Sequence, residues 1–389
     1  MFSVLLALIY VAFISLGLPD SLFGSAWPVM VGELSLPVSY AGIVTTVISA
    51  GTVVSSLLSD KLTRRLGAGL VTAISVGMTA LALLGFALSD SFWAICVLAV
   101  PYGLGAGAVD AALNNYVALH YASRHMNWLH CFWGVGATLG PYIMGWAISA
   151  DMGWRSGYGI VSAVQLVLTA VLFATLPLWK KGRVSEETSK TKEATLGLRS
   201  ALKIRGVKAI LLAFFCYCAF ESTAGIWAST YLVKYRAVDA ATAAAFASLF
   251  YLGITLGRFV SGFVADRAGD RKMIRIGCGV MLTGVLLIIL PAGTPVLSLA
   301  GLVLAGFGAA PVYPCIIHLT PINFGKENSH AIVGIQMASA YCGSTLIPPL
   351  FGIIAQYVGI YLYPAYMLIF VAFLLLMTER VNALCRKPH

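Results

Sequence analysis

The sequence predicts an all-α membrane protein in which twelve transmembrane helices form two pseudo-symmetric six-helix bundles. Three observations support this prediction: the composition, the length of the apolar segments and an internal repeat. Of the 389 residues, 59% are hydrophobic and only 10% are charged, whereas roughly 25% of the residues of a soluble domain are charged. Because so few charges could not cover a soluble protein of this length, lipid must surround much of the chain.

Apolar segments long enough to cross a membrane recur along the chain. A helix that crosses the hydrocarbon core needs about 20 mostly apolar residues, so twelve helices account for about 240 residues. The connections are too short to hold a separate catalytic domain, and we therefore expect that the protein is not an enzyme. We expect the helices near residues 3–30, 41–60, 68–88, 92–119, 127–149, 156–178, 207–233, 241–264, 273–291, 296–319, 329–357 and 360–379.

One polar interruption divides these helices six and six. It covers residues 179–205 and is rich in Lys, Glu, Ser and Thr. We therefore expect an N-terminal six-helix bundle over 1–178, a cytoplasmic linker over 179–205 and a C-terminal six-helix bundle over 206–389.

The basic residues indicate how the chain is oriented in the membrane. The formal net charge of +10 would suggest a nucleic-acid partner for a soluble protein. Here the Lys and Arg residues concentrate in alternate loops, most strongly in 180–208 and 267–275, while the opposite loops hold only Arg155, Lys234 and Arg236. This positive-inside bias places both termini in the cytoplasm. We expect a multi-pass protein of the cell membrane (the inner membrane if the source is bacterial) and no nucleic-acid partner.

The cysteines follow neither a disulfide pattern nor a zinc pattern. Seven of the eight lie inside apolar segments, and none has the spacing of a zinc site. Packing explains them best. The sequence accordingly predicts no metal site and no cofactor.

The two halves of the chain repeat each other. Three segments of the first half match three of the second in the same order, at an offset just above 200 residues. Many secondary transporters contain such a duplicated helical unit and place their binding site at the repeat interface, near the middle of the membrane. The matched segments are 20–24 with 221–225, 51–61 with 257–267, and 136–141 with 343–348.

Three acidic residues lie deep within predicted helices: Asp20 in the first, Asp110 in the fourth and Glu221 in the seventh. A charged side chain at the centre of a bilayer costs about 2.5–3.5 kcal/mol on insertion scales. Such groups normally face a water-filled cavity, bind a polar solute or carry a proton. These positions are therefore candidates for transport chemistry.

Polar residues accompany Asp110. Asn114 lies one helical turn later on the same face, and Asn127 and His130 share a face of the fifth helix. The tenth helix has no acidic counterpart to Asp110. Substrate contacts can be shared across a pseudo-twofold axis, whereas a single proton carrier need not be.

A loop in the C-terminal half has a recognisable pattern. Residues 262–272, Gly-Phe-Val-Ala-Asp-Arg-Ala-Gly-Asp-Arg-Lys, resemble the signature loop between the second and third helices of a half in the major facilitator superfamily. The N-terminal copy is degraded, since Ser56 and Thr63 replace its two glycines. On this resemblance the chain is identified as a member of the superfamily over its whole length.

The charged residues of these two loops are candidates for a latch. A carboxylate at a helix end, beside cations across a tight turn, can hold two bundles in one conformation and release them in another. For the N-terminal copy, a basic turn that only fixes the topology is the alternative. The candidate latch residues are Asp60, Arg64, Asp266, Arg267 and Arg271.

More narrowly, the chain resembles the fucose permease branch of this superfamily. The first helix carries an Asp in a Leu-x-Asp-x-Leu context (18–22), and the fourth carries a carboxylate followed by Ala-Ala (110–112). The seventh carries the segment Phe-Cys-Tyr (215–217). The resemblance implies sugar–proton symport, with Asp110 as the proton carrier and Asp20 near the sugar.

Two departures from that branch leave the solute open. Glu221 stands where the resemblance leads us to expect a neutral amide, and Trp133 stands where we expect Asn. A second acid in the cavity is compatible with a cationic solute or with sodium coupling. Sugar hydroxyls require planar hydrogen-bonding groups, and the apolar face of the ring stacks on aromatic side chains. The candidate substrate-binding residues are Asp20, Asn114, Asn127, His130, Glu221, Trp227 and Gln336.

Other functions remain as alternatives. Residues 136–141 partly match the fifth-helix motif of drug–proton antiporters, which would export a drug-like or cationic metabolite. A sodium-coupled sugar transporter is a second alternative, and a receptor that no longer transports is a weaker third. For individual residues, Trp227 could anchor the membrane interface, His130 could be a packing residue and Gln336 could bond helix to helix. The expected partners are a small solute, protons or sodium, and the lipid bilayer, with the protein acting as a monomer.

Overall fold

The protein is described by a computed structural model over residues 4–20, 22–37, 40–183, 197–238, 240–290 and 295–385. Within these ranges the chain forms helices and turns and contains no β-strand. The first helices are α1 (Val4–Asp20), α2 (Leu22–Glu33), α3 (Ala41–Leu66), α4 (Ala68–Leu88), α5 (Phe92–His120), α6 (Ser123–Ser149), α7 (Gly153–Ala174) and α8 (Leu176–Arg183). The later helices are α9 (Leu198–Ala201), α10 (Val207–Arg236), α11 (Ala240–Ala268), α12 (Asp270–Ile289), α13 (Val296–Ala309), α14 (Val312–His318), α15 (Thr320–Phe324), α16 (Lys326–Tyr357) and α17 (Tyr363–Leu384).

Eleven helical stretches of the described ranges are long and apolar enough to cross a bilayer. They include Val4–Trp27, which combines α1 with part of α2, and Val296–Phe324, which combines α13, α14 and α15. The predicted fifth span corresponds to α6, which is less apolar because glycine, tryptophan and polar residues recur along it. The predicted all-α membrane fold is confirmed.

Proline accounts for the division of the predicted tenth span. α13 ends at Ala309, and Pro311 directly precedes α14. A proline has no N–H to donate to the preceding turn, and its ring clashes with the backbone there. The chain therefore restarts as a new helix at Val312 while it keeps an apolar composition.

Helix packing divides the chain into two compact units. Unit 1 contains Met1–Tyr116 and Phe132–Gly197, and unit 2 contains Val117–Cys131 and Leu198–His389. The end of α5 and the first turns of α6 thus pack in unit 2; we call residues 117–131 the crossover segment. The predicted bundle boundaries stay predictions, and residues 184–196 of the predicted linker lie outside the described residues.

Glycines allow helices of unit 1 to approach closely. A Cβ added to Gly17 of α1 would collide with the backbone carbonyl of Trp133, and one added to Gly136 of α6 would collide with that of Ile14. Gly103 and Gly107 of α5 face α3 in the same way. Because a side chain would force these backbones apart, the glycines set the helix spacing around the polar residues of unit 1.

Candidate substrate and proton sites

Asp20 lies at the end of α1 and contacts two other helices. Its Oδ2 accepts a hydrogen bond from Trp133 Nε1 at 2.9 Å, and its Oδ1 accepts one from the Tyr102 hydroxyl at 3.5 Å. The close approach of Gly17 and Gly136 brings the indole of Trp133 within reach. Asp20 remains exposed, and a carboxylate has about four lone-pair positions, so it can still accept from a solute.

A cavity of about 180 Å³ opens beside this carboxylate within unit 1. Pockets for drug-sized ligands usually measure about 300–1,000 Å³, so this space suits a small solute. Its wall combines a carboxylate and several hydroxyl groups with aromatic rings. The lining residues are Pro19, Asp20, Phe23, Thr45, Ile48, Ser49, Leu83, Phe86, Tyr102 and Tyr158.

Asp110 and Asn114 form a buried pair on α5. Asp110 is 6% exposed and Asn114 is fully buried. The Asn114 amide donates to Asp110 Oδ1 at 2.7 Å and to the Asp110 carbonyl oxygen at 3.0 Å. The predicted one-turn relation between the two residues is therefore present, but Asn114 uses its amide nitrogen within its own helix.

Unit 2 contains a buried cation that sequence reasoning missed. Arg258 of α11 is 3% exposed; its Nη2 lies 3.8 Å from Glu221 Oε2 and donates to the Tyr217 hydroxyl at 3.4 Å. The predicted site residue Glu221 thus belongs to an ion pair. The signal was present, because an arginine within an apolar helix is as costly as an acidic residue. In the sequence Arg258 stands out only as a member of the repeated segment 257–267.

His130 and Tyr313 extend this cluster. His130 is 5% exposed, and its ring meets that of Tyr313 edge-on at 4.6 Å between centroids. The Arg258 guanidinium lies 6.0 Å from the centre of the Tyr313 ring, which is near the limit for a cation–π contact. The predicted residue His130 therefore shares an aromatic neighbour with the Arg258–Glu221 pair.

The remaining predicted binding residues make bonds inside unit 2. Asn127 is fully buried and donates to the Ser123 carbonyl at 3.0 Å. Gln336 Oε1 accepts from the Thr320 hydroxyl at 2.9 Å, and Trp227 Nε1 donates to the Pro348 carbonyl at 3.0 Å. The Gln336 contact joins α16 to α15, as the structural alternative for this residue requires. Solute binding by the three residues stays a prediction.

The candidate latch residues differ in where their partners lie. Asp60 accepts from Arg64 Nε at 2.8 Å within α3. Asp266, in contrast, accepts from the backbone N–H of Arg124 at 3.0 Å and also from the Arg124 side chain, so it binds the crossover segment. Arg271 donates to Asn323 at 3.1 Å, and Arg267 is exposed.

The crossover segment also fits closely against the signature loop. The indole of Trp128 lies over Gly262, where an added Cβ would collide with it, and Trp128 Nε1 donates to the Phe259 carbonyl at 3.3 Å. The ring of Trp128 meets that of Phe263 edge-on at 5.4 Å between centroids. The absence of a side chain at position 262 therefore makes room for this tryptophan.

The fold and these membrane-embedded polar groups define a multi-pass membrane transporter. The sequence profile of the Major Facilitator Superfamily matches residues 9–344 and 210–385, and the chain therefore belongs to this superfamily.

Similar proteins carry different solutes. The cis,cis-muconate transport protein of Acinetobacter baylyi is 26% identical over 63% of this chain and 62% of its own length. The glucose/mannose transporter GlcP of Bacillus subtilis is 24% identical over 73% of this chain and 70% of its own. The crystal structure of FucP, the fucose:proton symporter of E. coli, in an outward conformation superposes with a TM-score of 0.77 at 17% identity, covering 97% of this chain and 98% of FucP. That likeness establishes the fold.

Proposed function

We propose that the protein is a secondary active transporter that couples proton movement to symport of a sugar or a similar small polar solute by alternating access. The observation that carries the proposal is the cavity of unit 1, where an exposed carboxylate, Asp20, is held by Tyr102 and Trp133 beside aromatic walls. A sugar needs both hydrogen-bond acceptors and apolar ring faces. The sugar solutes of GlcP and FucP agree with this choice.

Asp110 is the proposed proton carrier. An ionised carboxylate is costly in buried surroundings, because little water is there to stabilise its charge. Binding a proton neutralises the carboxylate and removes this cost. Asn114 donates to Oδ1, and an amide N–H can donate to an oxygen of a carboxylate or of a carboxylic acid. The site can then exist in a charged and a neutral form with the same amide partner.

The proposal extends to the setting in the membrane. The protein acts as a monomer in the cell membrane with both termini in the cytoplasm, requires no cofactor and catalyses no reaction. The basic residues of the alternate loops support this orientation.

Transport by purified protein in liposomes tests the proposal. Neutral sugars, sugar acids and organic cations would be offered in a counterflow assay, and each would also be added to liposomes that contain no solute while a dye reports the external pH. We expect a neutral sugar to counterflow and its addition to raise the external pH. Counterflow of a sugar without any pH change would contradict proton coupling, and counterflow of cations alone would favour an exporter. Binding without counterflow would favour a receptor.

A solute with a carboxylate is the second candidate. The Arg258 guanidinium, buried beside Tyr217 and Tyr313, is the observation that favours it, and the muconate relative agrees. Arginine binds carboxylates in a bidentate geometry, so such a solute would compete with Glu221 for the same cation. In the counterflow assay this candidate predicts that sugar acids are transported and neutral sugars are not.

A further inference from the structure

Asp270 and His318 form a buried polar cluster against the crossover segment. Asp270 begins α12 and is 8% exposed, and its Oδ2 lies 2.6 Å from Nδ1 of His318, the last residue of α14. The other ring nitrogen of His318, Nε2, lies 3.1 Å from the Tyr121 carbonyl oxygen. Asp270 Oδ1 also accepts from the Ser123 hydroxyl. Both contacts to Tyr121 and Ser123 join the C-terminal helices to the crossover segment.

The partners of His318 fix how many protons the pair holds. A carbonyl oxygen can only accept, so the Nε2 atom that faces Tyr121 must carry a proton. The contact between Nδ1 and Asp270 also needs a proton, because otherwise two lone pairs would meet at 2.6 Å. The pair is therefore either imidazolium with carboxylate or imidazole with carboxylic acid. Each form holds one proton more than a neutral histidine beside an ionised aspartate.

We propose that Asp270 and His318 form a proton-binding site, separate from Asp110, whose proton holds the crossover segment against α12 and α14. Removing the proton leaves Nδ1 facing the carboxylate without a donor, and the contact weakens. Docking and proton binding therefore stabilise each other by linkage. Docking is favoured below about pH 6.5, the pKa of a free histidine, and weakens as the pH rises above that value.

Two other ion pairs lie near Asp270 and His318. Arg124 pairs with Asp266, and Arg275 pairs with Glu379. The titratable and charged groups on the elements packed around it are His120, Tyr121, Arg124 and His125 of the crossover segment, Asp266 and Arg267 of α11, Arg271, Lys272 and Arg275 of α12, Cys315 of α14, and Glu379 of α17.

A distance measurement in the full chain tests the proposal without any solute. Spin labels attached through non-natural amino acids at Ala122 and Ile322, both exposed, would report docking by pulsed electron paramagnetic resonance. We expect the docked-to-undocked ratio to fall by up to about tenfold per pH unit between about pH 5.5 and pH 8.5, which is the limit for one linked proton. An unchanged ratio across this range would overturn the proposal.

Three variants assign the effect. His318→Gln cannot titrate and should lose the pH dependence. In Asp270→Asn the amide can donate to the bare Nδ1 of a neutral imidazole, so docking should persist at high pH. His125→Gln, which removes a histidine of the same segment that lies outside the pair, should retain the wild-type dependence. Full pH dependence in Asp270→Asn, or its loss in His125→Gln, would contradict the assignment even if solute transport were normal.

Discussion

At the scale of single residues, Asp110 gives the sharpest test of proton coupling. Asp110→Asn should abolish accumulation driven by a pH gradient and preserve solute binding or exchange, because the neutral amide resembles the protonated acid. Uptake and equilibrium exchange in liposomes measure the two properties separately. Asp90→Asn is a matched control, since Asp90 is highly exposed. Gradient-driven uptake in the Asp110 variant would disprove its role as carrier.

Asp20 distinguishes a neutral solute from a charged one. For a neutral sugar, Asp20→Asn should weaken binding by about 1–3 kcal/mol, the cost of one buried hydrogen bond. Trp133→Phe removes the indole donor that orients the carboxylate and should weaken binding less. Affinities from calorimetry decide between these effects. Near-complete loss of binding in Asp20→Asn, together with strong weakening by salt, would instead indicate a cationic solute.

Arg258 and Glu221 predict a stability effect that is not additive. Arg258→Met alone removes the cation beside Glu221 and should destabilise the protein by up to about 3–5 kcal/mol, the cost of breaking a buried pair. The double variant Arg258→Met/Glu221→Gln removes both charges and should recover most of this loss. Thermal denaturation in detergent measures the difference. Additive losses in the double variant would show that the two side chains do not interact.

At the scale of helices, the candidate latch residue Asp266 acts through its contact with the crossover segment. Asp266→Asn removes the ion pair with Arg124, so it should shift the conformational equilibrium and slow turnover with little change in the affinity of either state. Labelling of cysteines introduced on both sides of the membrane measures the shift.

Asp60 provides the control for this prediction. Its ion pair with Arg64 lies within α3 and joins no second helix. Asp60→Asn should therefore change accessibility less than Asp266→Asn does. Equal effects of the two substitutions would mean that both copies of the loop act as latches.

Hydropathy predicted the helices well because lipid imposes length and composition on each segment. It could not predict that the ends of α5 and α6 pack in unit 2, because packing partners depend on side-chain fit rather than on apolar content. The fit of Trp128 over Gly262 is of this kind. The same reason explains why the sequence does not identify Arg124 as the partner of Asp266.

At the scale of the whole molecule, the internal repeat predicted the membrane fold but not the distribution of charge. The alignment pairs Thr52 with Arg258, so one half has a hydroxyl where the other has a buried cation. The two halves of a repeat can share the same arrangement of helices while their polar side chains differ. Asp110 and Asp20 could be identified because acidic residues in apolar helices are rare. The partners of Asp20, which are Tyr102 and Trp133, could not be identified, because aromatic residues are common in membrane helices.

Gly262, which lies beneath Trp128, shows that the two halves of the chain can no longer substitute for each other. In the alignment Gly262 corresponds to Ser56, whose hydroxyl donates to the Gly107 carbonyl at 3.2 Å. One copy thus uses an empty position to admit a neighbour's indole, while the other uses a small hydroxyl to bond to a neighbour's backbone. A protein built from two copies of the second half would lack the Ser56 hydrogen bond. A protein built from two copies of the first half would have serine in place of Gly262 and would leave no room for the indole of Trp128. The Ser56 bond is made within unit 1, whereas the space at Gly262 is filled by a tryptophan of the crossover segment.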